Sequence, residues 1–157
     1  MAGDKTWDRR ALVAEDDPVG QELMRRRMGQ LGFRCDVVAD GQAAVNALLH
    51  RAYDVIVMDC QMPTVNGREA ALAIRLREID GQRRRTPIIA VTAFGLDFSE
   101  AACRAAGMDA FLGKPVSMDE LRATLEQVLN EDASTLASAA DCSMRAPPVS
   151  LGAPSRR

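Results

Sequence analysis

The sequence predicts an α/β fold, a parallel sheet covered by helices on both faces. Two observations carry that prediction. Five short apolar runs alternate with five helical patterns, and the third run, Val55-Ile56-Val57-Met58, is continuously apolar. Alternation argues for strand–helix–strand crossovers, and an unbroken apolar run suits a strand buried on both faces.

The first strand is read at Ala11 to Ala14, stopping at Glu15, Asp16 and Asp17. Asp17 followed by Pro18 predicts a helix start. The carboxylate caps free amides, and proline has no amide to leave unpaired at the first helical position. Leu23, Met24 and Leu31 fall roughly on one face of that helix, and Gly32 supplies a stop. A β-rich stretch at Cys35 to Val38 follows, then a helix opened by Asp40, with Ala44, Val45, Leu48 and Leu49 at helical spacing.

The third strand ends on Asp59. Asn66 with Glu69 three residues later predicts the next helix, running to Ile79 and ending at Gly81. Pro87 to Val91 reads as the fourth strand. Asp97 with Glu100 opens a short helix closed by Gly107, and Ala110-Phe111-Leu112 is the fifth strand. Ser117 with Glu120 forms a capping box ahead of Leu121, Leu125, Val128 and Leu129 on one helical face. For a chain of 157 residues, right-handed crossovers leave few topologies, and a flavodoxin-like order 2-1-3-4-5 fits the length.

Composition sets further bounds. The hydrophobic share is 47 % and the charged share 27 %, as in ordinary globular chains. A net charge of -2 offers no whole-chain attraction to nucleic acid. No apolar run approaches the ~20 residues of a membrane span, and the polar start has no signal-peptide core, so a cytoplasmic protein is expected. The cysteines, Cys35, Cys60, Cys103 and Cys142, are far apart without a CxxC pair, which predicts reduced, hydrophobic side chains. Residues 1–9 read as a lead, 10–131 as one domain and 132–157, rich in Ala, Ser and Pro, as a flexible tail.

The chemistry is expected where strands end. Ligands of open α/β sheets bind beyond the carboxyl ends of the strands. The residues there are Glu15 and Asp16, Asp59, Thr92 and Lys114. Three carboxylates, a hydroxyl and an ammonium would converge on one shallow pocket. Crowded carboxylates repel one another and recruit a cation, and an all-oxygen set suits Mg²⁺. Metal and lysine together would stabilise a transferring phosphoryl group, with one carboxylate as nucleophile.

Five stretches carry a resemblance. Glu15 to Gln21 (EDDPVGQ), Met58 to Pro63 (MDCQMP) and Thr86 to Ala93 (TPIIAVTA), with Gly107-Met108-Asp109 and Lys114-Pro115, resemble the signature segments of response-regulator receiver domains. The likeness spans about residues 10 to 130 and is strongest to receivers of hybrid sensor histidine kinases. It implies that Asp59 is the phosphoacceptor, served by a phosphohistidine on a histidine kinase or a histidine phosphotransfer protein. It implies that Glu15, Asp16, Asp59 and the backbone carbonyl of Cys60 hold Mg²⁺, and that Lys114 pairs with the phosphoryl group through a segment often cis at Lys114-Pro115. Thr92 and Phe111 would form the switch, and Gln61 and Phe94 would tune dephosphorylation. The family turns over no conventional substrate; it catalyses its own Mg²⁺-dependent phosphorylation and dephosphorylation. Glu15 stands where many members have Asp, a replacement common in hybrid-kinase receivers.

Competing readings are weaker. An isolated strand-end acid is usually a cap, a lysine a solvated charge and a strand aromatic a core residue, but here they occur as a set. Arg25-Arg26-Arg27 and Arg83-Arg84-Arg85 read as solvated surface, because aromatic interleaving is absent. His50, the single histidine, favours the negative end of its helix dipole. Gly107 to Lys114 is no nucleotide-binding loop, since five residues separate the glycines and Pro115 follows the lysine. An aspartate-nucleophile phosphatase would need a second Asp where Gln61 stands. A pseudo-receiver, a binding module without phosphorylation, remains the alternative function. Without an effector domain, the chain reads as a stand-alone regulator or a receiver cut from a hybrid kinase. Dimerisation through the face of strands four and five is compatible with the sequence and not demanded by it; direct contact with nucleic acid or membrane is not expected.

Overall fold

A computed structural model describes residues 9–62, 65–93 and 100–130. Strands β1 (Arg9–Ala14), β2 (Phe33–Val38), β3 (Val55–Asp59), β4 (Ile88–Ala93) and β5 (Ala110–Lys114) form one sheet in the order β2-β1-β3-β4-β5. Every pairing is parallel. Helices α1 (Pro18–Gln30), α2 (Gly41–His50), α3 (Gly67–Asp80) and α4 (Glu100–Ala105) alternate with the strands, and α5 (118–130) follows β5. The predicted fold class and strand order are therefore the observed ones.

Successive strand residues face opposite sides, and each side has its own apolar layer. Ala11, Val13, Val55, Val57 and Leu112 pack with Met24 and Met28 of α1 and Leu121 and Leu125 of α5. Their neighbours Leu12, Ile56, Met58 and Ile88 pack with Val45 of α2, Ala70 and Ile74 of α3 and Cys103 of α4. All five residues of β3 are buried, as its unbroken apolar run requires.

The helix starts are capped by the expected side chains. Asp17 accepts from Gly20 N at 2.9 Å, Asp40 from Ala43 N at 2.7 Å, Asn66 from Glu69 N at 2.9 Å and Ser117 from Glu120 N at 3.1 Å. Gly32 and Gly107 hold the left-handed conformations (φ 93° and 96°) that glycine tolerates. Gly81 caps α3 with φ -87°, and the left-handed residue there is Gln82 at φ 50°.

Several details differ from expectation. β1 and β2 begin two residues earlier, at Arg9 and Phe33, and β5 continues to Lys114. Leu23 is not on the buried face of α1: Met24 and Met28, one turn apart, take that place, and Leu23 stays 48 % exposed. Leu49 of α2 is likewise exposed, one helical step away from the buried pair Ala44 and Val45. On α3, Ala70, Ala71 and Ile74 are buried, whereas Leu72, Leu76 and Ile79 face outward. Residues 1–8 of the predicted lead, Asp97, Glu131 and the whole predicted tail 132–157 lie outside the described residues, while Arg9 already belongs to β1.

At the amino ends of β4 and β5, Arg75 forms a polar clamp. Its guanidinium donates to Gly107 O (2.9 Å), Thr86 O (2.8 Å), Glu78 (2.8 Å) and Asp109 Oδ2 (2.9 Å). Asp109 Oδ2 also accepts from Ile88 N at 2.8 Å, and Glu78 Oε1 accepts from Thr86 N at 2.8 Å. Such a network is stable because each charge meets both a countercharge and backbone dipoles.

The arginine runs behave as surface. Arg25 and Arg26 pair with Glu22, and Arg27 donates to the carbonyl of Val116. Arg83 reaches Leu48 O at 3.0 Å, and Arg85 pairs with Asp109 at 2.5 Å. His50 sits in the last turn of α2, where the helix dipole favours a basic group.

Candidate functional site

Four of the five predicted polar residues meet at the carboxyl ends of β1, β3 and β5. Glu15 and Asp16 follow β1 directly, Asp59 is the last residue of β3, and Lys114 is the last of β5. Carboxylate oxygens of Glu15, Asp16 and Asp59 lie within 4.8 Å of one another. Glu15 and Asp59 are only 7 % and 4 % exposed, while Asp16 faces solvent.

Lys114 bridges the two buried acids. Its Nζ donates to Asp59 Oδ2 at 2.9 Å and to Glu15 Oε2 at 3.2 Å. The other oxygen of Asp59 accepts from Gln61 N at 2.9 Å. Backbone bonds fix the flanks: Glu15 N donates to Val38 O (3.0 Å), Cys60 N to Val91 O (2.9 Å), and Gln21 Nε2 to Glu15 O (2.7 Å).

The electrostatics follow from this crowding. Burial, reinforced by the hydrogen bond and negative charge of Asp59, pushes the Glu15 carboxyl up to about 7, although Lys114 opposes the shift. Burial pulls the Lys114 ammonium down, but Asp59 and Glu15 outweigh it, so its pKa lies above the ordinary lysine value. The cluster thus has more negative charge than one ammonium neutralises. Its donors are hard oxygens within 4.8 Å of one another, which suits a divalent cation such as Mg²⁺. The Cys60 carbonyl accepts from Gly67 N at 3.3 Å, and a carbonyl oxygen has a second lone pair to offer a metal.

The remaining predicted residues stand around this centre. Thr92, half-buried near the end of β4, donates its hydroxyl to Ala93 O at 3.3 Å. Phe111 is partly buried against the layer of α2, α3 and α4, with the Arg104 guanidinium 4.8 Å from its ring centroid. Gln61 is exposed, two residues after Asp59. Phe94 lies outside the described residues. The Lys114-Pro115 peptide is cis.

Sequence reasoning passed over two glycines that fix the site's backbone. A Cβ on Gly67 would come within 2.5 Å of Asp59 O, so only glycine lets the start of α3 approach β3 this closely. A Cβ on Gly41 would come within 2.3 Å of Val65 O, to which Gly41 N donates at 3.2 Å. Reading Asn66 as a cap and stopping there hid Gly67, one residue further on. Cys60 and Cys103, 43 residues apart in sequence, bring their sulfurs to 3.7 Å between β3 and α4. The three described cysteines are free thiols, and Cys142 lies outside the described residues.

Acids at the carboxyl edge of a 2-1-3-4-5 sheet, with a lysine across from them, thus make up the site. The family model of the response regulator receiver domain matches residues 11–126, and the chain belongs to that family. The chain is 34 % identical over 122 residues to the sensor histidine kinase RcsC of Salmonella typhi, covering 78 % of this chain and 12 % of the relative. It is 36 % identical over 112 residues to the sensor protein GacS of Pseudomonas syringae pv. syringae, covering 71 % and 12 %. The chain therefore spans about an eighth of the length of those relatives.

Among solved structures, the receiver domain of the sensor histidine kinase PA1611 from Pseudomonas aeruginosa PAO1 aligns with a TM-score of 0.70 and 38 % identity. The alignment covers 78 % of this chain and 98 % of that one, and that crystal structure has a magnesium ion coordinated in its active-site cleft. The chemotaxis protein CheY4 of Vibrio cholerae aligns with a TM-score of 0.69 and 26 % identity, covering 77 % and 98 %. Among the described residues, no helix is long and apolar enough to cross a membrane.

Proposed function

We propose that this domain takes a phosphoryl group from a phosphohistidine onto Asp59 and thereby changes which partner it binds. The observation that carries the proposal is the pairing of a buried acceptor carboxylate with Lys114, beside two further acids at the carboxyl edge of the sheet. In this reading Glu15, Asp16, Asp59 and the Cys60 carbonyl hold Mg²⁺, which when bound neutralises charge on the transferring phosphoryl oxygens. A carboxylate oxygen of Asp59 attacks phosphorus, the P–N bond to the donor imidazole breaks, and that nitrogen keeps the electron pair. Lys114 remains close enough to follow the new phosphate as its charge develops.

The donor would be a histidine kinase or a histidine phosphotransfer protein. The rim beside Asp16 supports a protein partner: α1 presents Pro18, Val19 (74 % exposed) and Leu23 along a shallow groove. Apolar side chains this exposed next to a reactive site gain most by being covered. Thr92 and Phe111 would carry the response along β4 and β5, with a coupling of about 1–3 kcal/mol as is typical of two-site linkage.

The test is incubation with acetyl phosphate and Mg²⁺ followed by intact mass spectrometry. Wild type is expected to gain a single phosphoryl group, about 80 Da, and Asp59→Asn none; EDTA during loading should abolish the gain. No gain in wild type, with Mg²⁺ binding also absent, would leave a protein-binding module without phosphotransfer.

A further inference from the structure

Gly20 lies in the first turn of α1, and its backbone does not explain why it is glycine. Its φ is not in the left-handed region; among the described residues the glycines so placed are Gly32 and Gly107. Within a helix glycine is less favourable than alanine, because it gives up more conformational freedom on folding. A local preference disregarded beside a reactive site calls for a compensating gain there.

The gain is visible in what a side chain at position 20 would meet. A Cβ there would stand 2.9 Å from Glu15 Oε1 and 3.0 Å from both its Cδ and Cγ. All three atoms belong to one side chain, the first acid of the cluster. The Glu15 backbone cannot retreat, because its amide is bonded to Val38 O and its carbonyl to the Gln21 amide. The side chain would have to yield, and with it the carboxylate that meets Lys114 and approaches Asp59 and Asp16. Gly29, near the other end of the same helix, has nothing within 4 Å of its would-be Cβ.

We infer that Gly20 is a positioning residue for Glu15: its bare Cα is the space in which the longer of the acidic side chains folds back to reach the cluster. The inference rests on the reading of Glu15 as a metal ligand and extends it to α1. It makes positions 15 and 20 an interdependent pair. An alanine at 20 should be tolerated better when residue 15 is shortened, since an aspartate lacks part of the chain that the new methyl would strike.

The experiment is calorimetric titration of Mg²⁺ into wild type, Gly20→Ala, Gly29→Ala, Glu15→Asp and the Glu15→Asp/Gly20→Ala double variant, with urea unfolding of each in EDTA. Gly20→Ala should lower Mg²⁺ affinity about tenfold, the low end of what residues supporting metal ligands contribute, while Gly29→Ala leaves it unchanged. In the Glu15→Asp background the same alanine should cost clearly less, which is the signature of coupling. Equal affinity in the two alanine variants, or an equal loss in both backgrounds, would overturn the inference. Should wild type itself bind no Mg²⁺, the metal reading fails separately. The metal-free crystal structure of Gly20→Ala then decides: a displaced Glu15 carboxylate supports the positioning role, and an unmoved one ends it.

Discussion

Lys114 Nζ stands 2.9 Å from Asp59 Oδ2 and 3.2 Å from Glu15 Oε2, so one ammonium is shared between two buried carboxylates on separate strands. That sharing ties the ends of β1, β3 and β5 together while leaving part of the negative charge uncompensated.

Removing the ammonium should therefore be felt first in stability. Lys114→Ala in EDTA is expected to lose roughly 1–2 kcal/mol, a figure discounted because the lysine is partly exposed. Mg²⁺ should restore much of the loss by replacing one cation with another. Urea unfolding with and without Mg²⁺ checks this, and an unchanged midpoint in EDTA would contradict it. Phosphorylation by acetyl phosphate should slow on the order of a hundredfold.

The raised Glu15 pKa, about 7, carries a pH dependence. In the metal-free fold Glu15 keeps its proton to higher pH than in the unfolded chain, where it titrates near 4.5. The folded state thus binds more protons across that interval, and this group's contribution to stability falls as pH rises from about 4.5 to about 7. Mg²⁺ favours the ionised carboxylate, so the thermal shift produced by Mg²⁺ should be larger at pH 8 than at pH 5.5. Glu15→Gln should flatten the difference; a shift independent of pH in wild type would count against the assignment.

Gly67→Ala should do what no surface alanine does. The added methyl meets the Asp59 carbonyl and the Cys60 Cα, both backbone, so either α3 or β3 must move. A destabilisation of about 1–3 kcal/mol is expected from overpacking, with phosphorylation lost from the folded fraction as well. Urea midpoints and intact mass measure the two effects independently.

Arg75→Ala should separate stability from chemistry. Its side chain is largely buried, and its loss takes one ion pair each from Glu78 and Asp109, the latter keeping Arg85. A cost of roughly 2–4 kcal/mol follows from breaking a buried ion network, seen as an earlier urea midpoint. Because the clamp lies at the opposite edge of the sheet from Asp59, folded protein should still accept a phosphoryl group at near wild-type yield.

Much of this molecule could be read from its residues. The strand-end acids announce themselves because Glu15, Asp16 and Asp59 interrupt apolar runs at the edge where such sheets bind ligands, and caps such as Asp40 and Ser117 mark helix starts by local chemistry alone. What escaped depends on distance through space. Nothing in a spacing of 43 residues shows that Cys60 and Cys103 touch, and Gly67 is informative only once α3 is laid against β3. Periodicity also misjudged α1: Leu23 and Met24 are adjacent in sequence, and the helix's rotation against the sheet decides which is buried. On α3 Leu72, Leu76 and Ile79 face out while Ala70, Ala71 and Ile74 turn inward, a choice set by the helix's rotation against the sheet.

The Arg75 clamp also has a mechanical meaning. It fastens α3 to the residues entering β4 and β5, leaving Thr92 and Lys114 roughly 13 Å further along strands that rise about 3.3 Å per residue. The clamp therefore anchors the amino ends of two strands whose half-buried carboxyl ends, paired through Thr92–Gly113 and Ala93–Lys114, stand at the acidic cluster, so a displacement of either end is shared with the other.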